Sequence, residues 1–590
     1  MKQKLYSIYK QYQNQQTPTI FTIIVLLSCY VSFHTLQNQI SFPVKISFFI
    51  IAYIGAQNIS AILSELKKVY TGVLDKIAIC LICLLATYCE TGAYYLEPIY
   101  KNPIPLIPFF LISAVWLSIV VLYLLYRGHK WIINQKIVEN KGFSIKANLA
   151  LIFTCILLCM LCNYAFNPAI TSPDSQYCYN YAFHLGEGPI CNGHPVFYIM
   201  LLKLCTLITS KIEFMIFIQS VYYALVFTYT LNILIQIGVS KKICLCIFLF
   251  IGIGFNTLIQ ISTLWKDIPF TISILWLTAL LVKKCTSPQK CSENIWWYLQ
   301  YTIASIFTAL IRHNGLFPVI ATLILAVIIL KNKKRIIIAS LAVIFVIITI
   351  KGPVYNRYQV YEDSGLKFCA MANDIMYLYH NKKDTETDPV LMQVVNDFTD
   401  GDPNNFPYNP YYTTLNRNNI KNYSIPEFLG IYFHAWKVHP RIMLKGFLSR
   451  NAVMWSIDKT ANEIPGCVNY LGEEHIISFK EQYPKREPNF LTNWLTNIFN
   501  ILTNNHFIYT FYWKTSIYNL LMIIGIIHIA LRFKKKFANY VLPFTPIAVN
   551  IFVLSLTSGW PDYRYYWPSM LVASILLPYT VVLLAKKKID

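Results

Sequence analysis

Asp174 stands in Pro173-Asp174-Ser175-Gln176, just ahead of Tyr177, Tyr179, Tyr181 and Phe183. A carboxylate beside aromatic rings is partly desolvated, which raises its pKa and makes it a better base toward a hydroxyl. The same stretch suits a helix start with Ser172 or Asp174 as N-cap, and the two roles are compatible. Gly193-His194-Pro195-Val196-Phe197-Tyr198 follows closely. Proline favours the first helical turn, so His194 opens a helix near the Asp174 loop. It suits phosphate binding, acceptor orientation or a purely structural role. Trp265-Lys266-Asp267-Ile268-Pro269 sets a cation beside an acid. That is either an ordinary helix-start ion pair or an ammonium for a phosphate next to a carboxylate that activates a hydroxyl.

Two further motifs carry arginine. Arg312-His313-Asn314-Gly315 places polar groups at a turn between apolar runs, where charge near a membrane is a functional hypothesis by default. Arginine fits bidentate phosphate contacts; the competing reading is a turn that merely reaches water. In Trp560-Pro561-Asp562-Tyr563-Arg564-Tyr565-Tyr566-Trp567-Pro568 an interfacial aromatic belt accounts for the Trp and Tyr residues, but not for Arg564. No single motif decides the chemistry. Cations for a phosphate and a carboxylate base at a lipid–water boundary would suit a substrate with a lipid tail and an anionic head.

The elements that must position these groups are membrane helices. The chain has 590 residues, 56% hydrophobic and 13% charged, with mean hydropathy +0.46, too little charge to cover a soluble surface. Apolar runs of about 18 residues or more read as spans, and lipid offers the backbone no partner, so they are helices. Ten-residue alternating strands, the mark of a barrel, are absent from the sequence. Spans are expected near 19–38, 43–63, 75–94, 105–126, 148–166, 213–237, 243–262, 268–283, 296–311, 314–331, 335–351, 512–532, 538–557 and 564–585, about 14 in all. The first run is a span rather than a cleaved signal, since no small-residue cleavage site follows it.

Fifty Lys and Arg against 28 Asp and Glu give a net charge of +22. Cytoplasmic loops collect Lys and Arg, so this excess speaks for topology rather than nucleic acid. With both ends of the chain inside, every short basic cluster falls on one side and the five polar motifs fall on the other. The fit requires the apolar run 194–210 to lie along the outer interface, with Lys203 and Lys211 reaching toward water. Two outer segments are large: 167–193, and 352–505, where 425–449 is the clearest helix and Asp400-Gly401-Asp402-Pro403-Asn404 begins a turn.

Of 16 cysteines, Cys178, Cys191, Cys369 and Cys467 fall outside. An even count in an oxidising compartment suggests Cys178–Cys191 and Cys369–Cys467 disulfides; the alternative is free thiols. No CxxC pair has a second half, so zinc is not expected.

The motifs together resemble the GT-C superfamily of membrane glycosyltransferases, of the protein O-mannosyltransferase and aminoarabinose transferase type. An acid in a long outer loop, then an HPP-like interfacial helix, correspond to Asp174 in PDSQ and to His194-Pro195-Val196-Phe197-Tyr198. KDIPF, RHNG and DYRYYWP look closest to a poorly characterised bacterial branch. The resemblance covers roughly 166–331 and 559–584. It departs in three ways: several spans precede the loop, Val196 replaces the second proline, and Ser175 follows Asp174 so that no DxD or DE pair forms.

The resemblance implies an all-α polytopic GT-C-like fold with an extracytoplasmic domain of mixed or irregular structure. Residues 1–147 would be N-terminal membrane helices, 148–351 the membrane core with catalytic loop 167–212, 352–505 the extracytoplasmic domain, and 506–590 the C-terminal membrane helices. It implies inverting hexosyl or pentosyl transfer from a polyprenyl-phosphate donor to an unknown acceptor in the cell envelope, at the outer face of a bacterial inner membrane. Asp174 and Asp267 would be catalytic. Lys266, Arg312 and Arg564 would bind the donor phosphate. His194, His313, Tyr563 and Tyr565 would position substrate. Lipid-linked donor and membrane lipids are the partners, not nucleic acid; no cofactor is called for, though a divalent metal remains open. The alternative is a transporter or flippase of a lipid-linked or anionic substrate, against which stand the lack of an inverted repeat and the gathering of polar groups at one face.

Overall fold

The computed structural model describes residues 20–33, 42–96, 106–134, 141–167, 169–287, 294–362, 368–381, 388–403, 422–457, 488–504, 509, 512–558 and 562–586. Among these the chain is helical apart from a parallel pair of two-residue strands, Ile190–Cys191 with Val360–Tyr361, and a lone bridge between Ile170 and Thr263. Helix satisfies every backbone donor and acceptor within one segment, as lipid requires. Seven helices are long and apolar enough to cross a membrane, or up to nine if each of two bent pairs is one span. The bent pairs are Lys45–Gln57 with Ile59–Val69 and Lys241–Gly252 with Phe255–Ile261. Ile20–Phe33, Ile295–Ile311 and His313–Ile329 fall on expected spans but are shorter apolar helices. The run 194–210 contains the helix Val196–Thr206, whose 11 residues reach about 16 Å against a hydrocarbon core of about 30 Å.

Three helices form the centre. In Ile212–Ile237, Asp267–Thr286 and Tyr563–Lys586, 61, 83 and 78% of the apolar window is buried, against 17% in Ile145–Ala165. They pack on one another through a core that includes Tyr223, Phe270, Leu275, Trp567 and Leu571. Peripheral helices leave Phe153, Leu161, Phe345 and Ile348 exposed, the surface lipid covers in an integral membrane protein. Two of these helices are polar at both ends. Asp267–Thr286 begins with Asp267 and carries Lys283 and Lys284 in its last turn, about 25 Å away at 1.5 Å per residue. Tyr563–Lys586 likewise begins beside Arg564 and ends at Lys586. The first helices have a separate core around Val25, Ala52 and Trp116.

Within 352–505 a helical unit has its own core of Phe368, Ile375, Val394, Phe398 and Phe428. The helix expected over 425–449 is two: Ile425–Val438 ends at His439, and Pro440, which cannot donate to the preceding turn, starts Pro440–Arg450. Asp374 accepts Arg450 Nε at 2.8 Å, Arg450 Nη2 at 2.9 Å and the Tyr432 hydroxyl at 2.8 Å. Arg450 Nη1 donates to the Ser558 carbonyl at 2.7 Å and that of Ser555 at 3.1 Å. This buried pair ties the unit to the end of the helix Thr545–Thr557, just before Asp562 and Arg564. Asp400 and Gly401 take φ of 53° and 82°, the start of the expected turn; 404–410 lie outside the described residues.

Candidate functional site

Two loops are zipped together first. Ile170 donates to the Ser262 carbonyl at 3.1 Å, and Leu264 donates to the Ile170 carbonyl at 3.2 Å. The register places Ser172 against Trp265, whose indole N–H donates to the Ser172 hydroxyl. Ser172 also caps the helix Pro173–Phe183 in a reciprocal box with Ser175. Ser172 therefore takes the capping role that the sequence left open, and Asp174, one residue into the helix, is released for other partners. Arg312 ends the helix Ile295–Ile311 in a tight turn. A Cβ at Gly315 would lie 1.9 Å from the Thr308 carbonyl oxygen, so only glycine lets the chain fold back there. Asn314 pins the turn to Asn550 at 2.8 Å.

These elements bring the scattered charges into one cluster. Lys266 Nζ lies 3.2 Å from Asp174 Oδ2, and Arg564 Nη1 lies 3.2 Å from the same oxygen. Lys266 also donates to His194 Nδ1 at 2.9 Å. An ammonium has no acceptor, so the imidazole proton resides on Nε2, which lies 4.0 Å from Asp174 Oδ1. Arg564 Nε pairs with Asp562 at 2.8 Å, and Arg312 Nη1 with Asp267 at 2.7 Å. Both guanidiniums lie over the Tyr565 ring, at 4.5 Å for Arg312 and 4.9 Å for Arg564, and Arg564 also stacks on Trp265 at 4.6 Å. Arg312 Nη1 and Arg564 Nη1 are buried and meet their acids in charge contact without a well-aligned hydrogen bond, which leaves donor capacity for an anion.

Electrostatics set the protonation states. Burial alone would raise the Asp174 carboxyl, but the Lys266 and Arg564 cations outweigh it and hold it well below the usual carboxylate range. The expectation that desolvation strengthens Asp174 as a base is thus reversed in this arrangement, because two cations share one of its oxygens. Burial, reinforced by Lys266, pushes His194 down to about 3, so it is neutral at physiological pH. Burial works against the Lys266 ammonium, yet Asp174 and Asp267 more than offset it and raise its pKa. Asp562 is raised, by burial first, with Arg564 opposing.

Of the expected site residues, Asp174, His194, Lys266, Asp267, Arg312, Arg564 and Tyr565 gather here. Asp267 does not fit a catalytic role: its side chain is 0% exposed and engaged with Arg312, so it positions that cation. Tyr563 turns away into the core, its hydroxyl on the Asn256 amide and its ring on Trp513, because successive residues of a helix point about 100° apart. His313 is exposed beside the cluster and hydrogen-bonds the backbone of Asn192. Sequence reasoning gave no role to Asp562 and offered Ser172 only as a candidate N-cap; both lay within or beside motifs, but only the fold shows their partners. The Cys178–Cys191 disulfide is not formed: both thiols are free. Cys178 faces the core, where burial pushes it up to about 12, while Cys191 lies in the strand pair. Cys467 falls outside the described residues, and with it the second expected bridge. Among the described residues no group of three or more His, Cys, Asp or Glu could hold a metal ion. Comparison with protein-family models, curated proteins and solved structures finds no match.

Proposed function

We propose that the protein is a GT-C-type inverting glycosyltransferase that moves a sugar from a polyprenyl-phosphate donor to an acceptor at the outer membrane face. The observation that carries the reading is the single carboxylate of Asp174 shared by Lys266 and Arg564 beside a neutral His194. Asp174 is the most open acid of the cluster, 28% exposed against 0% for Asp267. The donor phosphate would take over Lys266 and Arg564, with Arg312 nearby. Losing those partners returns Asp174 toward ordinary basicity. The acceptor oxygen then bonds to the anomeric carbon as its proton passes to Asp174. The carbon–oxygen bond to phosphate breaks, and its electron pair leaves on the phosphate oxygen, stabilised by the cations.

The lysine-bearing ends of Asp267–Thr286 and Tyr563–Lys586 lie away from the cluster, which supports a cytoplasmic lysine face and an outer, extracytoplasmic site. A transporter of lipid-linked or anionic substrates would also use cations at a membrane face; the shared carboxylate favours transfer chemistry. The test is incubation of purified protein with polyprenyl-phosphate hexoses and pentoses, reading release of the lipid phosphate. Turnover that Asp174→Asn abolishes in a folded protein supports the proposal. Vectorial movement of intact donor without release of lipid phosphate would replace it with transport.

A further inference from the structure

The two oxygens of Asp174 face different surroundings. Oδ2 meets both cations, whereas Oδ1 faces His194 Nε2 at 4.0 Å, too far for a hydrogen bond. Beyond the imidazole lies an aromatic surface. The Tyr177 ring is 4.8 Å from His194 and 4.3 Å from Tyr181. Tyr177 and Tyr181 are four residues apart on Pro173–Phe183 and so share one helix face. Both are partly exposed, whereas Tyr179 is buried with its hydroxyl on the Ser210 carbonyl. The Tyr177 hydroxyl donates to the Cys191 carbonyl at 3.2 Å, which anchors the platform to the strand pair next to His194.

We propose that Tyr177 and Tyr181, with His194, form the acceptor subsite and that the acceptor is a saccharide. The inference rests on the transferase reading. An incoming hydroxyl must approach opposite the departing phosphate, so the oxygen of Asp174 turned away from the cations takes its proton. The acceptor is then held on the Oδ1 side, where paired tyrosine rings offer the electron-rich faces on which the polarised C–H face of a sugar ring stacks. His194, a neutral donor at Nε2, orients the nucleophilic hydroxyl.

The experiment measures transfer from short-chain polyprenyl-phosphate glucose, mannose, galactose and arabinose to methyl hexosides, a serine-containing peptide and a medium-chain alcohol. Tyr177→Leu and Tyr181→Leu keep apolar bulk and remove the ring face. The proposal expects methyl hexosides as the productive acceptors. In both variants their KM rises roughly tenfold, as loss of an aromatic contact implies, and exceeds any change in donor KM; thermal unfolding verifies that the variants fold. Preference for the peptide or the alcohol, or an acceptor KM that moves no more than the donor KM, overturns the saccharide subsite and leaves the transferase intact. Absence of any donor consumption by the natural protein, with every sugar and acceptor, overturns the transferase reading and this inference with it.

Discussion

Replacing Asp174 with asparagine separates its two proposed duties. Each cation lies 3.2 Å from Oδ2, and at an effective dielectric of 20 each contact is worth about 5 kcal/mol of gross Coulomb attraction. Most of that is offset by desolvation, and an entering anion must displace what remains. Removing the carboxylate relieves the competition. Anion affinity should rise roughly tenfold, about 1.4 kcal/mol, while transfer falls by about 10² to 10⁴ for want of a base. Leaving Lys266 and Arg564 without this partner also destabilises the fold; full burial would cost about 3–5 kcal/mol, and partial exposure of Asp174 reduces this to about 1–3 kcal/mol. The assay is thermal unfolding in rising inorganic pyrophosphate, beside donor turnover. The variant should unfold at lower temperature in buffer and gain more from pyrophosphate than the natural protein. Turnover within a few-fold of the natural protein, or an equal pyrophosphate response, refutes the reasoning.

Three other outcomes follow. The folded-state pKa of Asp174 is depressed, so its stabilising contribution is present above the ordinary value of 3.8 and is lost only as pH falls through the lower folded value. Neither stability nor kcat/KM should show an acid limb from this group between about pH 5 and 8, whereas kcat, which reports the complex with its cations engaged by phosphate, should show a higher acid limb; a kcat/KM limb that Asp174→Asn removes would contradict this. Arg564→Lys loses the two-acid bridge and the Trp265 stack, and donor KM should rise about 10- to 100-fold, as for loss of a charged hydrogen bond of about 1.5–3 kcal/mol; an unchanged KM removes Arg564 from donor binding. Asp374→Ala leaves Arg450 buried without its acid and should lower stability by about 3 kcal/mol, read by thermal or denaturant unfolding; a loss below about 1 kcal/mol would show that the Ser555 and Ser558 carbonyls suffice.

The helices were legible because hydropathy and lipid leave few choices. Lys266 beside Asp267 ahead of an apolar run marks the end of a helix, and lysines after that run mark its other end. Span number was less legible: the stop of Ile295–Ile311 at Arg312 was read from the sequence, but apolar content does not say that Lys241–Gly252 bends before Phe255. The convergence of Asp174, Lys266 and Arg564 was legible only as a shared side of the membrane. Their contact depends on the Ile170–Thr263 bridge and the Trp265–Ser172 hydrogen bond, which no spacing rule encodes. Side-chain direction was hidden for the same reason. Tyr563 and Arg564 are neighbours in sequence, yet a single helical step sends one to Asn256 and the other to Asp174. Outer cysteines of even number implied bridges, but Cys178 sits on the inward side of its helix, where packing decides its fate.

Exposure and distance together rank the acids of the cluster. Asp267 is fully buried and meets Arg312 at 2.7 Å, and Asp562 meets Arg564 at 2.8 Å; each steadies one arginine. Asp174 is more open and meets two cations at 3.2 Å, sharing one oxygen between them. Buried charges must be balanced, and here three acids balance three cations. An anionic head would compete with Asp174 for Lys266 and for one edge of Arg564, which Asp562 continues to hold. On the proposed reading the group displaced by the donor is therefore the same group that becomes basic enough to activate the acceptor. That coupling explains why a carboxylate held so far below its ordinary pKa is compatible with a role as base.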